Sequence, residues 1–252
     1  MSFGAVDIGN STIKIYELGP DINLVSCLPD VGEAVATCRR RGIDRVAFCT
    51  TRELSGSERL LLKNEGWWEL KFGVSLPLQI EYDTPDTLGP DRVAAAIGAW
   101  SLFSRHTDLE KAGKAVLVAD AGPALTLDVV GLNGTFRGGT ISPGFGMRLA
   151  ALHEFTSRLP MVGRELDMEG SWGKDTSTAI LAGCRFGLLY EIICAARTDR
   201  RDFECETIVF TGGDAEGLLR DLLNVNRGEF RVEYVAELVA VGLKTAYDFN
   251  HE

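Results

Sequence analysis

Histidine is scarce in this chain: His106, His153 and His251 are the only three in 252 residues. None lies near a cysteine in sequence, and no Cys-x-x-C pair occurs, so the ligand spacing of a zinc site is missing. The six cysteines (Cys27, Cys38, Cys49, Cys184, Cys194 and Cys205) sit in apolar or helical surroundings. In a chain of this size they are expected to be reduced, mostly buried thiols of a cytoplasmic protein. The first ten residues show no basic stretch followed by an apolar core, so no signal peptide is expected. The longest weakly polar run, Val93 to Trp100, falls far short of the ~20 residues that span a bilayer. Positive charge is also thin. Twenty-six basic against 36 acidic residues leave −10, and the densest basic cluster, Arg39-Arg40-Arg41, is expected to be a solvated helix end. Phosphate backbones and anionic membranes would repel such a chain, which argues against both partners. No G-x-x-x-x-G-K-[ST] run exists, which excludes a Walker loop. Gly144-Phe145-Gly146-Met147-Arg148-Leu149 lacks the third glycine of a dinucleotide fingerprint.

What is present is an internal echo. Phe3-Gly4-Ala5-Val6-Asp7-Ile8-Gly9-Asn10 resembles Leu117-Val118-Ala119-Asp120-Ala121-Gly122-Pro123. Each is an apolar strand ending in Asp-x-Gly and followed by a second strand-like run, Thr12 to Glu17 and Thr126 to Val130. The two aspartates lie 113 positions apart (120 minus 7), near half the chain, which points to two similar lobes that each open with a β-hairpin. The rest alternates. Helices are expected over Gly32–Arg41, Ser57–Glu65 (Ser57 as N-cap), Pro90–Phe103, a stretch ending near Thr156, Thr176–Arg197, Ala215–Leu223, and from Ala236 onward. Strands are expected over Arg45–Cys49 and Thr207–Phe210, and Leu78–Tyr82 is expected to be extended. Gly138 to Gly144 is expected to lead into the helix that ends near Thr156. This order means an α/β fold, cut at residues 1–112 and 113–252, with mixed sheets flanked by helices and a cleft between the lobes.

Four segments carry candidate chemistry. In Asp7-Ile8-Gly9-Asn10-Ser11-Thr12-Ile13-Lys14 a glycine lets backbone N–H groups approach phosphate oxygens, and Asn10, Ser11 and Thr12 add hydrogen bonds. Lys14 supplies positive charge, and Asp7 suits a hydrated Mg²⁺. Asp120-Ala121-Gly122-Pro123 is its counterpart in the second lobe. Two such hairpins would clamp a nucleotide triphosphate and its metal. Thr211-Gly212-Gly213 follows a strand and opens a helix, allowing close backbone approach to a planar or ribosyl group. In Leu88-Gly89-Pro90-Asp91-Arg92, Asp91 is a candidate general base and Arg92 a candidate carboxylate fork, with Tyr82 over the same pocket. The plainer alternative there is a helix start with Asp91 favouring the dipole and Arg92 solvated.

Together these blocks resemble the type III pantothenate kinases, a branch of the actin-like (acetate and sugar kinase) ATPases. The resemblance also takes in Leu125-Thr126-Leu127-Asp128, Gly138-Gly139-Thr140-Ile141-Ser142-Pro143-Gly144, Gly173-Lys174-Asp175-Thr176, Ala179-Ile180 and Gly183. It implies ATP-dependent phosphorylation of pantothenate, the first step toward coenzyme A. Asp7 through Lys14 would then hold ATP phosphates, with Gly122, Pro123, Thr211, Gly212 and Gly213 also at the nucleotide. Tyr82, Gly89, Pro90, Asp91 and Arg92 would hold pantothenate, with Asp91 the catalytic base. Asp120 would coordinate potassium or ammonium. Thr176 would reach pantothenate from the partner subunit of a homodimer whose active site is shared; its local alternative is a helix N-cap.

One position departs from that pattern. The second phosphate loop of the family usually reads Asp-x-Gly-Thr, and here the fourth residue is Pro123. Proline removes a hydroxyl and a backbone N–H, two hydrogen bonds worth ~1.5–3 kcal/mol each to a charged acceptor. Thr126 offers a nearby substitute hydroxyl. Pro123 keeps a second reading open, a catalytically weak homologue that acts as a ligand-binding or regulatory protein. A third is a kinase of another small hydroxylated substrate.

Overall fold

The computed structural model describes residues 2–104, 114–166, 168, 170–197 and 204–251. It divides into two units. The first comprises Met1–Asp108, Gly134–Arg137 and Glu237–Glu252; the second comprises Leu109–Asn133 and Gly138–Ala236.

In the first unit, Ser2–Ile8 (β1), Ile13–Leu18 (β2) and Ile22–Leu28 (β3) form an antiparallel meander. Ile43–Thr50 (β4) runs parallel to β1, and the short Trp68–Glu69 (β5) parallel to β4, giving the order β3-β2-β1-β4-β5. Alternation places Val6, Ile8, Ile13 and Ile15 in a core with Val31, Val35, Val46 and Leu62. Val31–Arg41 (α1) starts on Asp30, whose carboxylate accepts from the Glu33 N–H, and stops at Gly42 with φ 67°. Its Arg39-Arg40-Arg41 end is exposed, as expected. Gly56–Asn64 (α2) begins one residue before the expected start. Its N-cap is Ser55, not Ser57, because only Ser55 has a glutamate three residues on, Glu58, to complete a capping box.

Gln79–Ile80 (β6) is the part of the expected extended stretch Leu78–Tyr82 that pairs as a strand. It pairs with Thr135 and Phe136, the first residues of Thr135–Pro143 (β9). Pro90–Phe103 (α3) has the expected limits, with Pro90 in its first turn, where its missing N–H costs no helical bond. Leu238–His251 (α7) lies against α3 with no side chain between the backbones at two points. A Cβ on Gly98 would collide with the Leu238 carbonyl, and one on Gly242 with the Ala94 carbonyl. That contact puts the C-terminal helix in the first unit, so a single cut at 112/113 does not describe the division.

In the second unit, Lys114–Ala121 (β7), Ala124–Gly131 (β8) and β9 follow one another. Glu204–Thr211 (β10) and Arg231–Tyr234 (β11) add parallel strands beyond β7. The order β9-β8-β7-β10-β11 repeats β3-β2-β1-β4-β5 strand for strand, the structural counterpart of the sequence echo. The Gly138–Gly144 run leads into a helix at Phe145, as expected, and most of it is the end of β9. Gly139 is required in that strand because a Cβ would collide with the Leu127 carbonyl of β8. Phe145–Glu154 (α4), Thr176–Arg197 (α5) and Ala215–Asn226 (α6) complete the unit.

By length and composition α5 is the one described helix that matches a membrane span, a feature hidden in the sequence by Arg185 and Glu191. Half of its most apolar window is buried, where Leu181, Leu188, Leu189, Ile192 and Ile193 join the core with Phe210 and Leu222. All six cysteines are free thiols. Cys38, Cys49, Cys184 and Cys205 are buried, whereas Cys27 and Cys194 are exposed.

Candidate functional site

The first hairpin closes with four residues between the paired Ile8 and Ile13. The Gly9 N–H donates to the Thr12 carbonyl at 3.1 Å, and Asn10, Ser11 and Thr12 are exposed. Ile8 and Ile13 are core side chains, 0% and 1% exposed, so only their backbone can meet a ligand. Asp7, one residue before the turn, stands in register with Lys14 on β2 and Cys49 on β4. The Cys49 thiol donates to Asp7 Oδ1 at 3.8 Å. Burial, reinforced by the negative charge of Asp91, pushes the Asp7 carboxyl up to about 6 against the pull of Lys14.

Asp91 enters the same electrostatic cluster from the first turn of α3. Its carboxylate folds back over Gly89, where a Cβ would sit 2.5 Å from Oδ1. Burial raises its pKa, opposed by its own N–H, the Arg92 N–H and the Arg92 charge. The solvated alternative for Arg92 fails: the residue is 6% exposed. Its guanidinium lies 5.8 Å from the Tyr82 ring centroid and 5.9 Å from that of Phe136. Those rings meet edge to face at 6.1 Å. A planar cation held by two ring faces keeps its charge while losing water. The expected group Tyr82, Gly89, Pro90, Asp91 and Arg92 is therefore brought together, and the structure adds Phe136 and Cys49. Neither could be found by local reading, since β9 and β4 deliver them from distant sequence.

In the second unit, three residues separate the paired Ala121 and Leu125, and Asp120 stands opposite Thr126. The Gly122 N–H donates to the Ala124 carbonyl. Pro123 is exposed, and its carbonyl accepts from the Gly144 N–H at 3.0 Å. Thr211 on β10 is in register with Asp120. Gly212 follows with φ 102°, and a Cβ there would collide with the Asp120 carboxylate and the Ala121 backbone. The Asp214 N–H closes the arrangement on the Ala121 carbonyl at 2.8 Å. Arg164 makes an ion pair with Asp214, a partner with no sequence signal. The expected residues Asp120, Gly122, Pro123, Thr211, Gly212 and Gly213 thus belong to one constellation.

Thr176 is the exposed first residue of α5. It is not the N-cap: Asp175 accepts from the Thr178 N–H at 2.9 Å, and the Thr178 hydroxyl returns to the Lys174 and Asp175 N–H groups.

The donors present suit the expected cations. Asp7 offers a buried carboxylate beside a second negative charge, a setting that favours a hydrated divalent ion. Asp120 offers one carboxylate, beside the Gly212 turn. Among the described residues no cluster of three His, Cys, Asp or Glu could hold a metal by itself.

The sequence model of the type III pantothenate kinase family matches residues 61–197. A type III pantothenate kinase of Bacteroides fragilis is 36% identical over 219 residues, covering 83% of this chain and 84% of its own. One from Porphyromonas gingivalis is 32% identical over 99% of this chain and 100% of its own. Among solved structures, a putative 2-dehydro-3-deoxygalactonokinase from Sinorhizobium meliloti superposes with TM-score 0.59 at 14% identity, covering 98% of both chains. The ADPNP-bound activator of 2-hydroxyisocaproyl-CoA dehydratase from Clostridium difficile gives 0.54 at 12% identity, covering 100% of this chain and 96% of the other. These two likenesses concern the fold alone.

Proposed function

The chain belongs to the type III pantothenate kinase family, and from that premise we propose which of its residues perform the reaction. The enzyme phosphorylates pantothenate with ATP to give 4′-phosphopantothenate, the first step of coenzyme A biosynthesis. The observation that best supports the assignment of roles is the pairing of Asp91 with the ring-held Arg92 at the start of α3.

Arg92 binds the pantothenate carboxylate through its planar fork, with Tyr82 shaping the pocket and Gly89 and Pro90 supplying backbone. Burial makes Asp91 a stronger proton acceptor than an exposed aspartate. It takes the proton of the primary hydroxyl as that oxygen attacks the γ-phosphorus in line, and ADP departs. Gly9 through Thr12 hold ATP phosphates by backbone and side-chain donors, with Lys14 adding positive charge. Gly122, Pro123, Thr211, Gly212 and Gly213 contribute bare backbone to the nucleotide.

Asp7 would hold Mg²⁺ and Asp120 potassium or ammonium. Bound there, these cations neutralise charge on the phosphates. Thr176 belongs to the pantothenate site of the partner subunit in a homodimer, and the exposed position of its side chain supports that role. The enzyme works in the cytoplasm, without nucleic acid or membrane partners.

ADP release is the test, measured with pantothenate and Mg²⁺ in potassium and again in sodium. Turnover that requires pantothenate and is faster in potassium supports both the substrate and cation assignments. ADP release indifferent to pantothenate contradicts the first, and equal rates in the two salts contradict the second.

A further inference from the structure

In a chain carrying −10, four arginines lining one cavity need an explanation, and none of the four belongs to the motifs above. The cavity, about 670 Å³, lies in the second unit between the C-terminal half of α5 and the C-terminal half of α6. It is at the far end of α6 from the Gly212-Gly213 turn. Arg185, Arg197, Arg220 and Arg227 line it, with Asp221 the one acidic residue among the described lining residues.

These cations are unequally compensated. Arg197 is neutralised by Glu229, which takes both its Nε and Nη2 donors. Arg185 reaches Asp221 only at 3.5 Å, and its Nε is buried with no acceptor. No ion pair is made by Arg220 or Arg227 among the described residues. Arg227 is also the one described non-glycine residue with a left-handed backbone, φ 52° at the C-cap of α6. Glycine ordinarily takes that place because a Cβ is strained there. An arginine thus stands where the backbone disfavours a side chain, and it lines the cavity. On the wall between Arg185 and Arg197, the rings of Phe186 and Tyr190 lie 6.4 Å apart, with Tyr190 half exposed.

We propose that this cavity binds a phosphorylated small molecule of nucleotide size. Its phosphate is held by Arg185, Arg220 and Arg227, and its flat or apolar portion rests on Phe186 and Tyr190. The volume falls within the range of small-molecule sites. An unsatisfied buried guanidinium N–H is relieved by an oxyanion acceptor at little further desolvation cost.

Arginine footprinting with phenylglyoxal, read residue by residue by mass spectrometry, tests this on the full-length protein. The probes are inorganic pyrophosphate and AMP, with sodium chloride at matched ionic strength. Millimolar pyrophosphate is expected to slow modification of Arg220 and Arg227 about tenfold, leaving Arg39 and Arg40 unchanged. AMP is expected to protect the same pair. In Arg185→Gln that protection disappears while pantothenate-dependent ADP release stays within about twofold of wild type. Arg220→Gln, a surface change, is a second variant expected to remove protection at Arg227. Equal protection by sodium chloride overturns the proposal. So does protection that follows protein concentration rather than pyrophosphate, which would make the arginines a contact between copies of the chain. The footprint reads binding without turnover, so an inactive enzyme would not obscure either result.

Discussion

Asp7, at the end of β1, and Asp91, in the first turn of α3, share one electrostatic environment although 84 positions separate them (91 minus 7). The charge of Asp91 adds to burial in lifting Asp7 to about 6. The buried Cys49 thiol is raised by burial first and then by both carboxylates. Without a cation, the fold carries this local repulsion itself.

Removing the Asp7 charge is therefore expected to stabilise the apoprotein at neutral pH. The folded-state pKa is raised from 3.8 to about 6. Stability is accordingly complete below the unfolded value and is lost as pH rises through the folded one. Asp7→Asn should be more stable than wild type at pH 8, by up to about 3 kcal/mol. That gap should close as pH falls from 6 toward 3.8. Thermal unfolding across this range checks it; a gap that widens toward acid contradicts the account.

Gly212→Ala tests the turn after β10. The residue sits at φ 102°, and a Cβ would collide with the Asp120 carboxylate and the Ala121 backbone. Backbone strain alone costs about 1–2 kcal/mol, and the collision adds to it. Lower thermal stability and a raised KM for ATP are expected together. Gly213 has open space for a Cβ, so Gly213→Ala is the control.

Pro123→Thr restores a hydroxyl and an N–H to the second hairpin. Even one recovered charge-assisted bond, ~1.5 kcal/mol, should improve kcat/KM for ATP about tenfold. Losing proline's restriction of the unfolded chain should cost ~0.4–1 kcal/mol of stability. Activity and stability then move in opposite directions. An unchanged kcat/KM would mean that Thr126, registered opposite Asp120, already supplies the missing contact.

Arg92→Lys separates charge from shape. Lysine keeps the positive charge but loses the fork and the stacking on Tyr82 and Phe136. The KM for pantothenate should rise at least about tenfold, while the KM for ATP stays near wild type. Equal increases in both would contradict the assignment of Arg92 to pantothenate.

How legible this was from sequence depended on range. Both hairpins were readable because Asp-x-Gly between apolar runs is a local signal, and Pro90 marked the start of α3. The Ser55-x-x-Glu58 capping box is likewise a local signal, and it places the N-cap of α2 at Ser55 rather than at Ser57. What could not be read was set by distant contacts. The strand through Gly138-Gly139 depends on β8, whose Leu127 carbonyl occupies the space above Gly139. The place of α7 depends on Gly98 and Gly242 admitting two backbones to contact. Phe136 and Cys49 reach the site only through strand pairing, and Arg164 reaches Asp214 only through an ion pair across 50 positions (214 minus 164).

In the proposed reaction Asp91 receives the proton of the pantothenate hydroxyl. Steady-state ADP release by Asp91→Asn and wild type, at saturating pantothenate, ATP, Mg²⁺ and potassium, tests it most directly. Asparagine preserves shape and cannot accept that proton, so kcat should fall by about 10²–10⁴, with the KM for ATP close to wild type. Equal kcat values for the two proteins would contradict the assignment.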